Sequence, residues 1–185
     1  VIGLLVGGPT ERACYETLTK KLGVSADVRM PGRPGGEDRL LDPKEVLTLI
    51  EPMTNRRAKP SGVFIVVDSE CDPKRERERK AKQALAQLRR NLNIRIEYFF
   101  VECMIESWLL ADHVALERFL DRHVGHIPSR TAGDDTRLRN LIRNAKRKYV
   151  ESRDWPKLAR LIDPERLALA SPNFNRFRVL LFATR

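Results

Sequence analysis

The chain has 185 residues, 42% of them hydrophobic, which is enough for one sizeable core and too little for two ordinary domains. Its 35 Lys and Arg outnumber its 25 Asp and Glu, and the resulting formal charge of +10 makes a polyanion, nucleic acid foremost, the natural partner. The longest apolar stretches, 63–67 and 98–101, fall far short of the ~20 residues of a membrane helix, and three scattered cysteines, Cys14, Cys71 and Cys103, suit neither a disulfide framework nor a Cys-x-x-Cys metal site. A reducing, cytoplasmic setting is the expectation.

Residues 1–6 form an apolar run closed by Gly7-Gly8-Pro9. No basic segment precedes it and no small-residue cleavage site follows, so it reads as a buried strand rather than a leader. Val1 is not methionine, and the native start is expected upstream. Residues 10–22 put Cys14, Leu18 and Leu22 on one helical face, with Gly23 as a stop. Residues 24–30 predict a second strand, and the Pro- and Gly-rich stretch 31–36 a basic loop. Asp42-Pro43 opens a helix with Val46, Leu49, Ile50 and Met53 inward, which Pro52 bends or shortens.

Residues 62–67 are the clearest strand: β-formers without polar alternation, as in a parallel strand covered on both faces, ending at Asp68. Asp72-Pro73 reads as the cap and first turn of a basic helix over 74–92. A further strand over 94–101 ends at Glu102, and the rest predicts helices at 107–120, 138–150, 155–162 and 173–181. Strands alternating with helices imply an α/β fold: a Rossmannoid parallel sheet of about four strands over 1–112, with a helical extension over 113–185, all one domain.

In such a sheet ligands bind beyond the carboxyl ends of the strands. Glu11 follows the first strand, Asp68, Glu70 and Asp72 follow the third, and Glu102 and Glu106 follow the fourth. Oxygen donors of this kind suit magnesium or manganese. Each has a plainer explanation: Asp72 as a helix cap, Glu11 as complement to a helix dipole, Glu70 as a solvated side chain. Asp68, ending an apolar strand, is hardest to dismiss. Lys74, Arg75, Arg77 and Lys80 on one basic helix, and Arg143, Lys146, Arg147 and Lys148 on another segment, are placed to track a phosphodiester backbone, unless they only solvate helices laced by ion pairs. The turn at 7–10 lacks the Gly-Lys-Ser/Thr ending of a P-loop. His123 and His126 read as loop residues rather than zinc ligands, and Trp108, Phe119, Trp155, Phe174 and Phe177 as core.

Leu-Val-Gly-Gly-Pro-Thr-Glu at 5–11, Val-Val-Asp-Ser-Glu-Cys-Asp at 66–72, Ile-Glu-Ser-Trp-Leu-Leu-Ala-Asp at 105–112, Lys-Arg-Lys-Tyr at 146–149 and Ser-Pro-Asn-Phe-Asn-Arg-Phe at 171–177 occur in the order of a known family. The chain resembles the TOPRIM-like domain-of-unknown-function family numbered 4276. The resemblance implies a TOPRIM fold, related to nucleases of the overcoming-lysogenization-defect type, that uses magnesium or manganese to break phosphodiesters. It further implies Asp68 and Glu70, with Asp72 close behind, as metal ligands and work beside an AAA- or ABC-type ATPase in anti-phage defence; Glu11, Asp68 and Glu106 are the candidate catalytic groups, Glu11 matching the acid four positions after the catalytic glutamate of the family, and a homo-oligomer is allowed. One departure stands out. The resemblance places a glutamate where this chain has Gly7, so a catalytically silent nucleic-acid-binding subunit and an ATPase-docking module are the rival expectations. Restoring glutamate at position 7 is the change expected to raise cleavage.

Overall fold

The computed structural model describes residues 1–32, 36–125, 127, 133–145 and 148–184. Along them run β1 (Ile2–Leu5), α1 (Pro9–Lys21), β2 (Ala26–Arg29), a 3-10 helix (Gly36–Leu41), α2 (Pro43–Thr54), β3 (Val63–Asp68), α3 (Glu76–Asn91), β4 (Ile96–Val101), α4 (Glu106–Ala111), α5 (His113–Leu120), α6 (Asp134–Ala145), α7 (Glu151–Leu161), α8 (Pro164–Ala170) and α9 (Pro172–Phe182). The strands make one four-stranded, all-parallel sheet in the order β2-β1-β3-β4. The α/β architecture with C-terminal helices is as the sequence predicts.

Strand order decides where a ligand can sit. The chain steps outward from β1 to β2, then crosses back to β3 on the far side of β1 and continues to β4. Loops leaving β1 and β3 therefore diverge, opening a crevice beyond their carboxyl ends. Register sets Asp68 of β3 opposite Val101 of β4, so the segments that leave these strands start side by side.

Both sheet faces are covered, which is why β3 shows no polar alternation. Val63, Ile65 and Val67 pack with Leu5, Ile96 and the apolar sides of the 3-10 helix, α2 and α3. Phe64 and Val66 join Ile2, Leu4, Val6, Phe99 and Val101 beneath α1 and the C-terminal helices. The period of two survives as a choice of partner layer rather than of polarity. The helices after residue 113 complete that second layer: Trp108 meets Phe174 and Phe177 with ring centroids 5.1 and 5.3 Å apart, and Phe177 lies 5.1 Å from Phe99. Phe119 and Trp155 are buried in the same cluster.

Two polar hubs bind these helices to the sheet. Asn173, at the start of α9, accepts from the Trp108 indole (3.0 Å) and the Glu102 N–H (3.2 Å), while its amide donates to the Phe100 carbonyl (3.0 Å). Asp112, fully buried, accepts from Ala115 N (3.1 Å) and Asp163 N (2.9 Å) and takes a two-pronged ion pair from Arg166 (2.6 and 2.9 Å).

Several local expectations need correction. The helix expected over 107–120 breaks at Asp112, whose backbone leaves helical geometry so that its side chain can cap α5. The basic helix expected from 74 begins at Glu76; Asp72 closes the preceding turn, accepting from Lys74 N (2.8 Å) and Glu76 N (2.7 Å). α6 and α7 each start about four residues earlier than the apolar periodicity suggests, because their first turns are polar, and α8 and the 3-10 helix are additional. Pro52 lies inside α2 without ending it. Cys71 and Cys103 are joined in a disulfide with Cα atoms 4.3 Å apart, leaving Cys14 buried and free. The cysteine count therefore no longer argues for a reducing compartment. No helix among the described residues is long and apolar enough to cross a membrane.

Candidate functional site

At the β1–β3 crevice the chain gathers carboxylates from separate segments. Glu11 sits in the first turn of α1, whose amino end is set by the Gly8 cap and Pro9, and its Oε2 accepts the Gly7 N–H at 2.7 Å. Here the helix-end explanation is realised, since a glutamate three residues past the cap turns back onto free N–H groups. Asp68 is the last residue of β3. Glu106 is the first of α4 and is almost wholly buried. Glu37, on the 3-10 helix of the crossover from β2, reaches across so that its Oε1 accepts the Asp68 N–H at 2.9 Å and its Oε2 pairs with Arg77 at 2.5 Å. Residue 7 has no room for a side chain in this arrangement: a Cβ there would lie 2.5 Å from Glu37 Cγ and 3.1 Å from Glu11 Oε2. The glutamate that the sequence reading would restore at position 7 collides with one already present.

Burial and mutual repulsion make charge costly in this cluster. Glu11 is pushed up to about 7, by burial first and then by Glu37. Glu106 is pushed up to about 8, by burial and then by Asp135 and Glu151. Asp68 is raised well above the usual carboxylate range by burial, then by Glu37, Glu11 and Glu106, against the opposing pull of the Ile105 N–H. Burial also raises Glu37, opposed by the Asp68 N–H and by Arg77. Acids with raised folded-state pKa values hold their protons longer when folded than when unfolded. Their stabilising contribution is complete below about 4.5 and is lost as pH climbs through 7 and 8. The unfolding midpoint, followed by calorimetry without divalent ions, is therefore expected to fall by roughly 5–10 °C between pH 5 and pH 8.5, with Glu106→Gln flattening the slope.

The other candidate residues lie elsewhere or are already engaged. Glu70 is more than half exposed and pairs with Arg77 at 2.5 Å. Asp72 is held below the usual carboxylate range by the N–H groups of Glu76 and Lys74 and faces a shallow cleft of about 530 Å³ with Glu70, Lys74 and Lys80. Arg77 is consumed by Glu37, Glu70, Asp38 (3.3 Å) and the Asp68 carbonyl (3.1 Å). Lys74, Arg75 and Lys80 are exposed around the start of α3, with Arg75 in a left-handed backbone conformation. Arg143 and Lys148 are exposed as well; Lys146 and Arg147, like His126, lie outside the described residues. α3 covers one face of the sheet and α6 belongs to the layer on the other, so the exposed cations around α3 and Arg143 of α6 belong to opposite layers. Glu102 lines a cleft of about 520 Å³ beside β4, with Ser69, Arg75, Tyr98, Asn173 and Arg176.

Sequence reasoning missed Glu37 and Glu151. Glu37 follows the Pro- and Gly-rich stretch 31–36, of which 33–35 lie outside the described residues, and nothing local in the sequence marks it except being the first acid after the glycines. Glu151 opens α7 and reaches the site only through its repulsion of Glu11 and Glu106. Among the described residues, no three His, Cys, Asp or Glu side chains already converge as a metal cage. No curated protein and no solved structure matches the chain. The family described as Domain of unknown function (DUF4276) matches residues 8–181, nearly the whole length, and the chain belongs to that family.

Proposed function

We propose that this protein is a TOPRIM-like, magnesium- or manganese-dependent nuclease, or a nuclease-derived subunit, acting on DNA or RNA. One observation carries the reading: Glu11, Glu37, Asp68 and Glu106 arrive from four separate segments at the crevice where strand order reverses, and they repel one another there. Natural cores avoid such an arrangement unless something offsets it. The donor set is all oxygen, as a hard divalent cation requires, and magnesium takes only one or two protein carboxylates while keeping waters and phosphate oxygens. Asp68, at the end of β3, is the best-placed holder. A bound ion would supply Lewis acidity toward a phosphate and a more acidic water.

The chain's own groups suit the proton transfers. Glu11, at about 7, is poised to accept a proton from attacking water near neutral pH. Glu106, at about 8, still holds a proton there and is suited to protonate the leaving oxygen. The formal charge of +10 supports attraction of a polyanion, and exposed Lys74, Arg75 and Lys80 near the strand ends are suited to phosphate contacts. An ATPase partner in anti-phage defence belongs to the same proposal.

Incubating the protein with labelled single- and double-stranded DNA and RNA should give cleavage with magnesium or manganese that a chelator abolishes. Cation affinity should rise between pH 6 and pH 8.5 as the carboxylates ionise. The silent-subunit reading is favoured by Arg77, which already neutralises Glu37. Under that reading the same probes bind with or without divalent ions and stay intact. Co-purification with an ATPase, without nucleic-acid binding, would defeat both.

A further inference from the structure

We infer that the Cys71–Cys103 bond is a thiol–disulfide exchange site, opened by a dithiol reductant at Cys71, and that its state decides whether the turn carrying Glu70 to Arg75 stays fixed at the strand ends. No ion in the crevice is needed for this, and it stands apart from the nuclease reading. Cys71 lies in the segment that leaves β3 and Cys103 in the one that leaves β4, so the bond ties together two loops at the end of the sheet where ligands bind.

The turn is one that its residues do not choose. The Asp72 N–H donates to the Ser69 carbonyl at 3.0 Å, closing a tight turn with Glu70 and Cys71 at its centre. Their φ angles are 52° and 53°, a backbone that glycine and asparagine adopt readily and that glutamate and cysteine do not. Arg75 at 52° and Cys103 at 60° are left-handed too, so four of the five non-glycine residues with positive φ among the described residues sit in or beside this cross-link. Such backbone persists only where its surroundings over-determine it. Here the Ser69 N–H donates to the Val101 carbonyl (2.9 Å), the Glu70 N–H to the Cys103 carbonyl (2.6 Å) and the Cys103 N–H to Ser69 Oγ (2.8 Å), and the disulfide completes the set. Without the covalent tie, three hydrogen bonds must hold four strained residues, and the strain favours release.

The two sulfurs are not equivalent. Cys71 is partly exposed and Cys103 is buried, so an incoming thiolate reaches the Cys71 sulfur. A mixed disulfide forms there as the S–S bond breaks, and Cys103 leaves as a thiolate and takes up a proton. The reductant's second thiolate then displaces Cys71, which takes up the second proton, and the reductant ends as its own disulfide, two electrons poorer. Strain and exposure together mark a disulfide as labile. The turn contributes Glu70, Asp72 and Lys74 to one cleft and Ser69 and Arg75 to the other, so its release reshapes both.

The test uses the full chain, folded, at neutral pH. Dithiothreitol is added, free thiols are trapped with N-ethylmaleimide and located by mass spectrometry, and amide hydrogen exchange is followed in parallel. Cys71 and Cys103 should be trapped before any unfolding, while Cys14, buried and with its thiol pushed up to about 12 chiefly by that burial, stays unlabelled as the internal control. Exchange over 69–76 should quicken at least about tenfold with β1 and β3 unchanged, and oxidised glutathione should restore the slow rate. Cys71→Ser should exchange fast there with or without reductant. Glu70→Gly, which accepts positive φ without strain, should make the disulfide severalfold harder to reduce. A bond that yields only when the whole protein unfolds, or a reduced protein that loses protection across the sheet, makes the cross-link a structural staple and overturns the inference. So does a turn that exchanges alike in both states, or a Glu70→Gly variant reduced as easily as the parent.

Discussion

Asp68→Asn is expected to reduce divalent-dependent cleavage by at least ~10²-fold while making the protein more stable at alkaline pH. The two effects share one cause. Asp68 ends an apolar strand, and burial plus repulsion from Glu37, Glu11 and Glu106 holds its carboxyl well above its ordinary range. A charged Asp68 is a liability to the fold, and an amide of the same shape removes the charge while retaining an oxygen for the Ile105 N–H. Unfolding followed by calorimetry should show the midpoint of the variant gaining on that of the parent as the pH rises, because burial and the neighbouring carboxylates disfavour the charged form of Asp68. Stability exchanged for activity at one residue is the signature of a functional site. A variant that is less stable and equally active would identify Asp68 as a structural residue.

Asp112→Ala is expected to have the largest effect on stability, about 2–4 kcal/mol, because it removes the two-pronged partner of Arg166, which keeps only its longer pairing with Asp163, and leaves the N–H groups of Ala115 and Asp163 unpaired. For a chain of this length that corresponds to a fall in midpoint of about 10 °C. The loss should be global, since Asp112 links α4 and α5 to the start of α8, 51 residues on. Cation affinity of the folded fraction should be unchanged, which separates this carboxylate from those of the crevice. A cost under about 1 kcal/mol would mean that the ion pair is dispensable and that the caps hold α5 and α8 without it.

These contrasts divide the recurring motifs by role. In Glu-Ser-Trp-Leu-Leu-Ala-Asp, only Glu106 reaches the crevice: Ser107 bonds Asp134 (2.8 Å), Trp108 centres the aromatic cluster and Asp112 ties helices together. Ser-Pro-Asn-Phe-Asn-Arg-Phe is likewise architectural, with Ser171 capping α9, Asn173 stitching Trp108 to the end of β4, and Phe174 and Phe177 in the core. The most distinctive stretches of sequence are mainly those that hold the second layer on the sheet.

By itself the sequence determined the strands, most helices, the parallel sheet and the place of Asp68 at the end of its apolar strand. These follow from local rules: burial on both faces writes an unbroken apolar run, and Asp-Pro or Ser-Pro before a periodic segment writes a helix start. Only the tertiary structure decided that Glu37 fills the space beside Gly7, that Arg77 is spent on carboxylates rather than free for phosphate, that Asp72 closes a turn, and that Cys71 meets Cys103. Apart from the Asp72 turn, each of these pairs residues well apart along the chain, 31 positions for Glu37 and Asp68, 40 for Arg77 and Glu37, 32 for the cysteines. A local pattern reports how a residue relates to its own helix or strand. Which distant side chain will occupy the space next to it is set by strand order, and strand order exists only once the sheet has formed.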